Sequence, residues 1–427
     1  MNPSVVETMA SMRVPSPLAE DWVSVQTYGA AGDGATDDAA ALQRALNDAR
    51  RVWVPAGVYR IGETLRIHSG TRLELAPAAV VVLADGFGRD ASCFALTNAE
   101  PSSADAEIEI RGGTWDGNNR GNRRRSDSPI EPGAYTGVLL HFDCVSDLTF
   151  GDATLRDAES YHLRLGRTRR FLVENLRFTS TNPRPNNDGV HLGGGCEDGV
   201  VRRLTGVGDH APSDDLLAIN ADDAIERVEC QGMIRGPIRR ITAYDLAAER
   251  CHSFLRLLST GQPIEDVRVE RVRGGCTAAA VNMDGARGCR VPVFDEHDPL
   301  HAEGVGCGQC IDLADFKVHA ASNDLQPLLD VQQRVERLRI RGFSRDHELE
   351  PEAASHKPTL RVAHLPGHRV IVERPALDQN KGNGDPASPR FDETLPVRLA
   401  VGESWLLDRG GFGRIEISST SLNPGNP

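Results

Sequence analysis

The chain has 427 residues, a formal net charge of −13 and 42 glycines, with an aromatic content of 5%. Binding to nucleic-acid phosphates requires a basic surface, so this charge balance argues against a nucleic-acid partner. The one dense basic cluster, Arg123–Arg125, is expected to be a solvated loop. Because no stretch of about 18 apolar residues occurs, no helix that spans a membrane is predicted. Many glycines and few aromatic residues favour a fold of short strands and frequent turns.

The N-terminus and the cysteines bear on the cellular compartment. Residues 1–17 contain no basic start followed by an apolar run, so we expect a cytoplasmic protein, or a secreted one if a signal has been removed. The 9 cysteines are scattered and odd in number, which indicates buried thiols rather than a disulfide framework. The one close pair, Cys307 and Cys310, has no second pair at zinc-finger spacing, so we predict no metal there.

The first predicted element is a helix over Asp37–Arg50, which Thr36 or Asp37 can cap. Its apolar residues recur at helical spacing and fall on one face: Ala41, Leu42, Ala45 and Leu46. Beyond this helix, short apolar runs alternate with Gly, Asn and Asp up to about residue 290.

Those short runs recur at a regular spacing. Comparable runs begin near His162, Val190, Leu216, Phe254 and Ala279, at steps of 28, 26, 38 and 25 residues. A period of about 20 to 30 residues with about three short strands in each is typical of a solenoid, and the longer step predicts one insertion or a skipped coil. The Asn-Gly hairpin turns that a β-sandwich needs are scarce. We therefore predict an all-β, right-handed parallel β-helix, with the N-terminal helix capping its exposed end.

The pattern divides the chain into three parts. Residues 1–21 form an N-terminal tail, residues 22–290 the capped parallel β-helix, and residues 291–427 further β coils or a small β appendage with loops. Strand-like runs recur in the last part, around a loop rich in Gly, Pro and Asn at Asn380–Arg390. They are Arg337–Ile340, Val370–Val372, Val397–Val401 and Ile415–Ile417.

Three segments resemble pectin-active β-helix proteins. Val25–Asp38 (VQTYGAAGDGATDD) and Val52–Tyr59 (VWVPAGVY) are similar to the opening that polygalacturonases, rhamnogalacturonases and helices of the pectate-lyase type share. Gly112–Gly117 (GGTWDG) resembles the GGTIDG step of the polygalacturonase family, glycoside hydrolase family 28. The resemblance spans roughly residues 22–285. It implies the β-helix together with action on a pectin-type or related oligosaccharide or polysaccharide.

Two short motifs one coil apart carry the candidate chemistry. Asn187–Gly189 (NDG) resembles the family's NTDG motif, and Ser213–Asp215 (SDD) resembles its GDD or QDD motif. Adjacent strands of a parallel β-helix lie about 4.8 Å apart, so we expect Asp188 and Asp214, 26 residues apart, to stack their carboxylates on one wall. Carboxylates this close have different pKa values, which provides the protonated acid and the ionised base that a glycosidase needs.

The resemblance implies hydrolysis with inversion by three aspartates. Asp214 would protonate the leaving glycosidic oxygen, while Asp188 and Asp215 would position and deprotonate the attacking water. Arg256 and Asn187 would contact the substrate, and neither a metal nor another cofactor is required. The remaining aspartates of interest are predicted to cap backbone amides, as in Asx-turns: Asp37, Asp38, Asp222 and Asp223.

The chain departs from the family pattern at two motifs. The histidine of the family's GHG motif should follow the paired aspartates by about one coil, yet Arg235–Ile238 contains none. Three histidines elsewhere are candidates for that substrate-binding role: His191, His210 and His252. In the family's RIK motif, the lysine position after Arg256 holds Leu257 or Leu258, and an apolar residue cannot pair with a uronate carboxylate. A neutral, deoxy or otherwise modified sugar is therefore predicted instead of plain polygalacturonate.

Two other functions fit the same fold. A polysaccharide lyase or epimerase would use Ca²⁺ to acidify the proton beside a uronate carboxylate. Four aspartates could bind that ion: Asp188, Asp214, Asp215 and Asp222. A non-catalytic β-helix would bind a glycan without cleaving it. Each alternative leaves a carbohydrate as the expected partner.

Overall fold

The structure is a computed structural model that describes residues 21–126, 136–222, 234–259, 261–283, 306, 308–322, 326–363, 368–373, 404–407 and 412–419. Its strands join in one continuous sheet of 25 strands. Up to β22 each strand pairs in parallel with strands one coil away, which is the pairing of a β-helix. The predicted right-handed parallel β-helix is confirmed.

The chain enters the β-helix through β1 (Val23–Ser24), a 3₁₀ turn (Val25–Tyr28) and β2 (Asp33–Asp37), which lead into helix α1 (Ala39–Asp48). The helix begins where the Asp37 carboxylate accepts the N–H of Ala39 at 3.1 Å. Its apolar face is buried against the first coil: Ala39, Ala41, Leu42, Ala45 and Leu46. The predicted helix is therefore present, and its capping function remains a prediction.

The central part of the β-helix consists of sixteen strands, and six of them span more than ten residues. They are β3 (Arg51–Val54), β4 (Gly57–Ile61), β5 (Leu65–Ile67), β6 (Arg72–Leu83), β7 (Leu96–Asn98), β8 (Asp105–Asp116), β9 (Leu140–Asp143), β10 (Val145–Gly151), β11 (Thr154–Arg156), β12 (Leu163–Gly166), β13 (Arg169–Thr179), β14 (Val190–Leu192), β15 (Glu197–Asp209), β16 (Asp215–Asn220), β17 (Ile238–Leu258) and β18 (Ile264–Met283).

The spacing of the coils is visible in the strand register. Val190 of β14 aligns with Leu217 of β16, and Leu217 aligns with Leu255 of β17, so these successive steps are 27 and 38 residues. The longer step confirms the predicted insertion, which lies between β16 and β17. Residues 223–233 of this insertion lie outside the described part of the chain.

The longer strands turn sharply at single residues in the left-handed region. Arg170 and Asn175 of β13 have φ of 50° and 53°, and Asp198 and Arg203, one coil later, have φ of 57° and 56°. Asn and Asp tolerate this conformation better than most other non-glycine residues, which explains why they separate the apolar runs of the sequence. These corners let one continuous strand contribute side chains to different walls of the same core.

One hydrophobic core runs along the axis, and its members extend from Val25 to Ile417. In β13, for example, Val173, Leu176 and Phe178 are buried while the corners between them are more accessible. Burial of a side chain of this size stabilises the fold by about 1.5 to 3 kcal/mol. Because each coil buries only a few such side chains, stability depends on stacking neighbouring coils.

Parallel pairing continues beyond residue 290 and then changes direction. The parallel strands are β19 (Gly308–Ala320), β20 (Leu329–Val331), β21 (Arg337–Arg345) and β22 (Leu360–Ala363). The strands that pair antiparallel with them or with each other are β23 (His368–Glu373), β24 (Ser404–Leu407) and β25 (Phe412–Ser419).

Three of the four strands predicted in the C-terminal part are therefore confirmed. Val397–Val401 and the Asn380–Arg390 loop lie outside the described residues, and the boundary at residue 290 remains a prediction. No helix in the described part of the chain is long and apolar enough to cross a membrane.

Candidate catalytic site

Three neighbouring strands bring the predicted catalytic residues to one wall of the β-helix. Asp188 lies two residues before β14, Asp214 and Asp215 lie at the start of β16, and His252 lies in the last third of β17. β14 pairs with β16, and β16 pairs with β17, so these segments are adjacent in space. The structure thus brings the two aspartate motifs together, as the sequence predicted.

The register differs by one residue from the predicted stacking. β14 and β16 are aligned at a step of 27 residues, so Asp188 lies beside Asp215, and our prediction that it stacks on Asp214 was wrong. The N–H of Gly189 donates to the carbonyl of Asp215 at 2.8 Å. Asp214 is next to this pair along the chain, and the three carboxylates therefore form one cluster.

The three carboxylates differ in burial and in charge. Asp188 and Asp215 are buried, whereas 22% of the Asp214 side chain is exposed. Burial, together with the negative charges of Asp214 and Asp188, raises the pKa of Asp215 well above its usual range, while nearby Arg256 and His252 act in the opposite direction. The cluster therefore retains a proton at pH values where an isolated aspartic acid is ionised, and a general acid requires such a proton.

Of the three candidate histidines, His252 lies one coil after the paired aspartates. Its Nδ1 lies 3.3 Å from Oδ1 of Asp214, and 40% of its side chain is exposed. The next residue, Ser253, aligns with Asp215. Our placement of this position at Arg235–Ile238 was wrong, because the 38-residue step inserts chain before the next coil reaches this wall. That long step was the sequence signal that could have located the histidine.

A second histidine, His191, contacts a different carboxylate. Its Nδ1 lies 2.7 Å from Oδ2 of Asp188, and both side chains are buried. The ring of Tyr161 on the preceding coil stacks on the imidazole, with centroids 4.2 Å apart and an interplanar angle of 22°. Arg164, also on the preceding coil, aligns with His191 across β12 and β14. Sequence reasoning missed Tyr161 and Arg164, because only the register shows that they adjoin the site.

Arg256 is half-buried in β17, beside Ala218 of β16, and its positive charge favours the ionised form of Asp215. Leu257 belongs to the hydrophobic core and Leu258 is buried. Neither leucine offers an exposed surface or a charge to a substrate carboxylate, and the neutral or modified sugar remains a prediction.

Two further predicted substrate contacts have local partners. Asn187 is buried, and its side-chain N–H groups donate to the carbonyls of Ala158 at 2.8 Å and Ser160 at 2.7 Å. These bonds tie the turn that carries the first aspartate to the preceding coil. His210 pairs with Asp209 at 2.8 Å on the connecting turn, rather than with a catalytic aspartate. Contact of Asn187 and His210 with a substrate remains a prediction.

A buried ion cluster holds the wall next to these turns. The side chain of Glu159 is completely buried between Arg184, at 2.8 Å, and Arg124, at 3.6 Å. Arg124 also donates to the carbonyl of Pro185 at 2.8 Å. The prediction of a solvated loop at Arg123–Arg125 is therefore wrong for its central residue, while the two flanking arginines are exposed. A partner from another coil, which the local sequence does not reveal, accounts for this burial.

One group of side chains in the site could hold a cation. Ligand atoms of Asp214, Asp215 and His252 lie within 4.8 Å of one another. Ca²⁺ takes about six to eight oxygen ligands, and this set of two carboxylates and an imidazole nitrogen fits it poorly. Asp222, the fourth aspartate of the predicted Ca²⁺ scheme, instead accepts the N–H of Gly261 at 2.8 Å.

The aspartates predicted to cap backbone amides do so where the structure describes them. Asp222 also accepts the N–H of Gln262 at 3.0 Å. Asp37 accepts the N–H of Ala39, and Asp38 accepts that of Ala31 at 2.6 Å. Asp223 lies outside the described residues.

Known proteins resemble the chain over parts of its sequence. Residues 22–108 match the family model for rhamnogalacturonase A/epimerase, pectate lyase-like. The chain is 34% identical over 111 residues to the pre-neck appendage protein of Bacillus phage phi29, a match that covers 26% of this chain and 13% of the relative. It is 28% identical over 192 residues to plasmin and fibronectin-binding protein A of Streptococcus pneumoniae, which covers 42% of this chain and 27% of the relative. A polygalacturonase of Persea americana is 23% identical over 233 residues, a match that covers 46% of this chain and 44% of the relative. The chain thus spans less than half of the length of these curated relatives.

Solved structures share the fold over most of the chain. The surface adhesin PfbA of Streptococcus pneumoniae superposes with a TM-score of 0.53 at 13% identity, covering 80% of this chain and 92% of that chain. An iota-carrageenase in complex with iota-carrageenan fragments superposes with a TM-score of 0.53 at 15% identity, covering 71% of this chain and 75% of that chain. A family 28 exopolygalacturonase of Yersinia enterocolitica superposes with a TM-score of 0.51 at 15% identity, covering 74% of this chain and 68% of that chain.

Identities this low show a shared fold and leave the activity of the chain to be argued from its own residues. The family model and the structural neighbours nevertheless agree on one architecture. The chain is a right-handed parallel β-helix protein, similar to the polygalacturonase-like and pectate-lyase-like proteins and divergent from them.

Proposed function

We propose that the chain is a glycoside hydrolase that cleaves a pectin-type or related glycan by general acid and base catalysis with three aspartates. The supporting observation is the cluster in which Asp188 lies beside Asp215 with Asp214 next to them, where burial and like charge raise the pKa of Asp215. Glycosidases need a proton-bearing carboxyl group close to an ionised carboxylate. Burying like charges costs free energy, so a purely structural role would not favour this arrangement.

In this mechanism the Asp214–Asp215 pair holds one proton. Two carboxyl groups this close titrate as a coupled pair, so the proton belongs to the pair rather than to one residue. Asp214 is the more exposed member and delivers the proton to the leaving glycosidic oxygen, while His252, at 3.3 Å, orients its carboxylate. Asp188 and Asp215 bind the attacking water and accept its proton as the new bond to the anomeric carbon forms. Arg256 supplies positive charge beside the substrate.

The spacing of the carboxylates makes the stereochemistry of the product informative. Ligand oxygens of Asp214 and Asp215 lie within 4.8 Å of each other. That separation is closer to the value of about 5 to 5.5 Å typical of retaining glycosidases than to the about 6.5 to 9.5 Å typical of inverting ones. The family resemblance implies inversion, with the water held by Asp188 as well. We expect proton NMR of the first sugar released to show the inverted anomer, and net retention would contradict the role of Asp188 and Asp215 as the water-binding pair.

The proposal is tested by a screen of pectin-type and related oligosaccharides, read by the release of reducing ends. We expect release by the wild-type protein and its loss in Asp214→Asn, which keeps the shape of the side chain. An unsaturated, ultraviolet-absorbing product that forms only with Ca²⁺ would show a lyase instead. Unchanged turnover in Asp214→Asn would contradict the assignment of the acid.

A non-catalytic glycan-binding β-helix is the second candidate. Proteins with this fold include a streptococcal surface adhesin, and a phage appendage protein matches part of the sequence. Under this candidate, the wild-type protein and Asp214→Asn would bind one oligosaccharide with the same Kd, and neither would release reducing ends.

The relatives also bear on the cellular location. An adhesin and a phage appendage protein are surface components, which fits a cytoplasmic location poorly. We infer that this chain acts outside the cytoplasm. Fractionation of producing cells followed by immunoblotting tests this, and a purely cytoplasmic signal would contradict it.

A further inference from the structure

His191 and His252 serve different carboxylates of the same cluster. The Nδ1 of His191 is 2.7 Å from Oδ2 of Asp188, which is the distance of a charge-assisted hydrogen bond. His252 lies 3.3 Å from Asp214 and is 40% exposed, whereas His191 is buried. The mechanism above uses His252 and leaves His191 without a function.

The imidazole of His191 is held in one orientation. The Tyr161 ring stacks on it at a centroid distance of 4.2 Å. The strand register places Arg164 and Ala218 on either side of it in the adjacent coils. Because a buried and stacked ring has little freedom to rotate, it can fix the plane of the Asp188 carboxylate that it contacts.

The ionisable groups around His191 come from several coils. They are Asp188 on its own coil, Tyr161 and Arg164 on the preceding coil, His141 on the coil before that, and Asp214 and Asp215 on the following coil. Burial lowers the pKa of Arg164 to about 10, so its guanidinium remains protonated at neutral pH. The donor that contacts Asp188 is His191, and the cation Arg164 is aligned with that histidine in the adjacent coil, while two carboxylates lie on the following coil.

Three carboxylates compete for the proton of this cluster. We propose that His191 is a positioning residue whose hydrogen bond keeps Asp188 ionised and oriented as the base, so that the shared proton stays on the Asp214–Asp215 pair. A donor bonded to an ionised carboxylate favours that form over its protonated form. The inference rests on the proposed hydrolase function and deepens it, because it assigns the division between base and acid.

Three substitutions at His191 separate the donor from the ring. His191→Phe keeps the ring that stacks on Tyr161 and removes the donor. His191→Asn places an amide N–H where Nδ1 lies, and His191→Gln places it where Nε2 lies. For H191F we expect kcat to fall about 10- to 100-fold, with KM changed by less than about threefold. The acidic limb of the kcat–pH profile should move to higher pH, because ionised Asp188 loses its donor.

The Asn and Gln variants are the matched controls. H191N should restore kcat to within about fivefold of wild type and return the acidic limb, while H191Q should behave like H191F. A merely structural residue would lower the melting temperature without moving the pH profile. A pH profile of H191F identical to wild type overturns the proposal, and so does an H191N variant no more active than H191Q. If H191F does not fold, the comparison of H191N with H191Q carries the test, since both are polar.

Failure of the hydrolase proposal is observed separately. If the wild-type protein releases no reducing ends from any oligosaccharide, the hydrolase proposal fails. The hydrogen bond between His191 and Asp188 can still be tested, by proton NMR of the intact chain. We expect a slowly exchanging, downfield Nδ1–H resonance of His191 that disappears in Asp188→Ala. Its absence from the wild-type spectrum would overturn the inference.

Discussion

The three coils that form the site differ in how tightly they are built. On the coil of Asp188, the aspartate and His191 are buried, and Asn187 ties the turn to the preceding coil. On the next two coils, 22% of the Asp214 side chain and 40% of the His252 side chain are exposed, and the chain passes between them through a 38-residue step. In the proposed mechanism, the buried coil of Asp188 (the closed side) holds the base, and the more exposed coils of Asp214 and His252 (the open side) face the leaving group.

The closed side depends on buried polar contacts. Glu159 is completely buried and binds two arginines from separate segments, Arg184 and Arg124. Removing one member of such a cluster leaves a charge without compensation in a low-dielectric environment. On the open side, water can solvate the charged side chains, so the loss of one partner does not leave a buried charge without compensation. Substitution of Asp214 on the open side should therefore mainly change turnover, and substitution within the Glu159 cluster on the closed side should mainly change stability.

The largest effect is expected from Asp214→Asn on the open side. This variant removes the proton donor, so we expect kcat to fall about 10²- to 10⁴-fold while the Kd for an oligosaccharide changes little. Reducing-end assays give kcat, and isothermal titration calorimetry gives Kd. Asp147→Asn, at a corner on the outer surface, is the matched control and should keep wild-type kcat. More than a tenth of wild-type activity in D214N would place the acid elsewhere.

The next effect is expected from Glu159→Gln on the closed side. Because Arg124 and Arg184 would remain buried without their carboxylate, the free energy of unfolding should fall by about 3 to 5 kcal/mol. Urea denaturation measures this change. Glu265→Gln, which loses a more exposed pair with Arg239, is the control and should cost less than about 1 kcal/mol. Equal losses in the two variants would show that the burial of Glu159 adds nothing to the strength of its ion pairs.

A smaller, pH-dependent effect is expected from Asp215→Asn. The pKa of Asp215 is raised on folding from its ordinary value of 3.8, so its contribution to stability is present below that value and is lost as the pH rises through the folded-state pKa. Asparagine does not ionise, so D215N lacks this loss of stability at higher pH. We expect D215N to gain in melting temperature over wild type as the pH rises from about 4 to 7. Thermal melts across that range test this, and a difference that does not vary with pH would exclude a proton on Asp215.

The smallest effect is expected at the corners on the outer surface. Arg170 pairs with Asp147 at 2.7 Å, and both side chains are about half exposed. Arg170→Gln should therefore reduce the free energy of unfolding by less than about 1 kcal/mol, with kcat unchanged. Urea denaturation checks the first value, and a loss comparable to that of E159Q would show that the corner pairs stabilise the coils as strongly as the buried cluster does.

Local sequence patterns were sufficient to predict the repeating part of the protein. Apolar runs at coil-scale steps predicted the parallel β-helix, and the 38-residue step predicted its insertion, because alternation and repeat length are carried by local residues. The helix at Ala39–Asp48 followed from apolar spacing in the same way. The two short motifs also identified three aspartates that the fold then brings into one cluster.

Which side chains meet depends on the folded structure and could not be predicted from the motifs. A difference of one residue in register placed Asp188 beside Asp215, and the inserted chain made His252, rather than Arg235–Ile238, the neighbour of Asp214. Register is set by hydrogen bonds along whole strands and by the lengths of the turns between them, and a short motif contains neither. The same reason applies to Leu257, which the alternation of β17 turns into the core. Contacts between coils depend on how the strands stack, so they cannot be read from the sequence of a single coil.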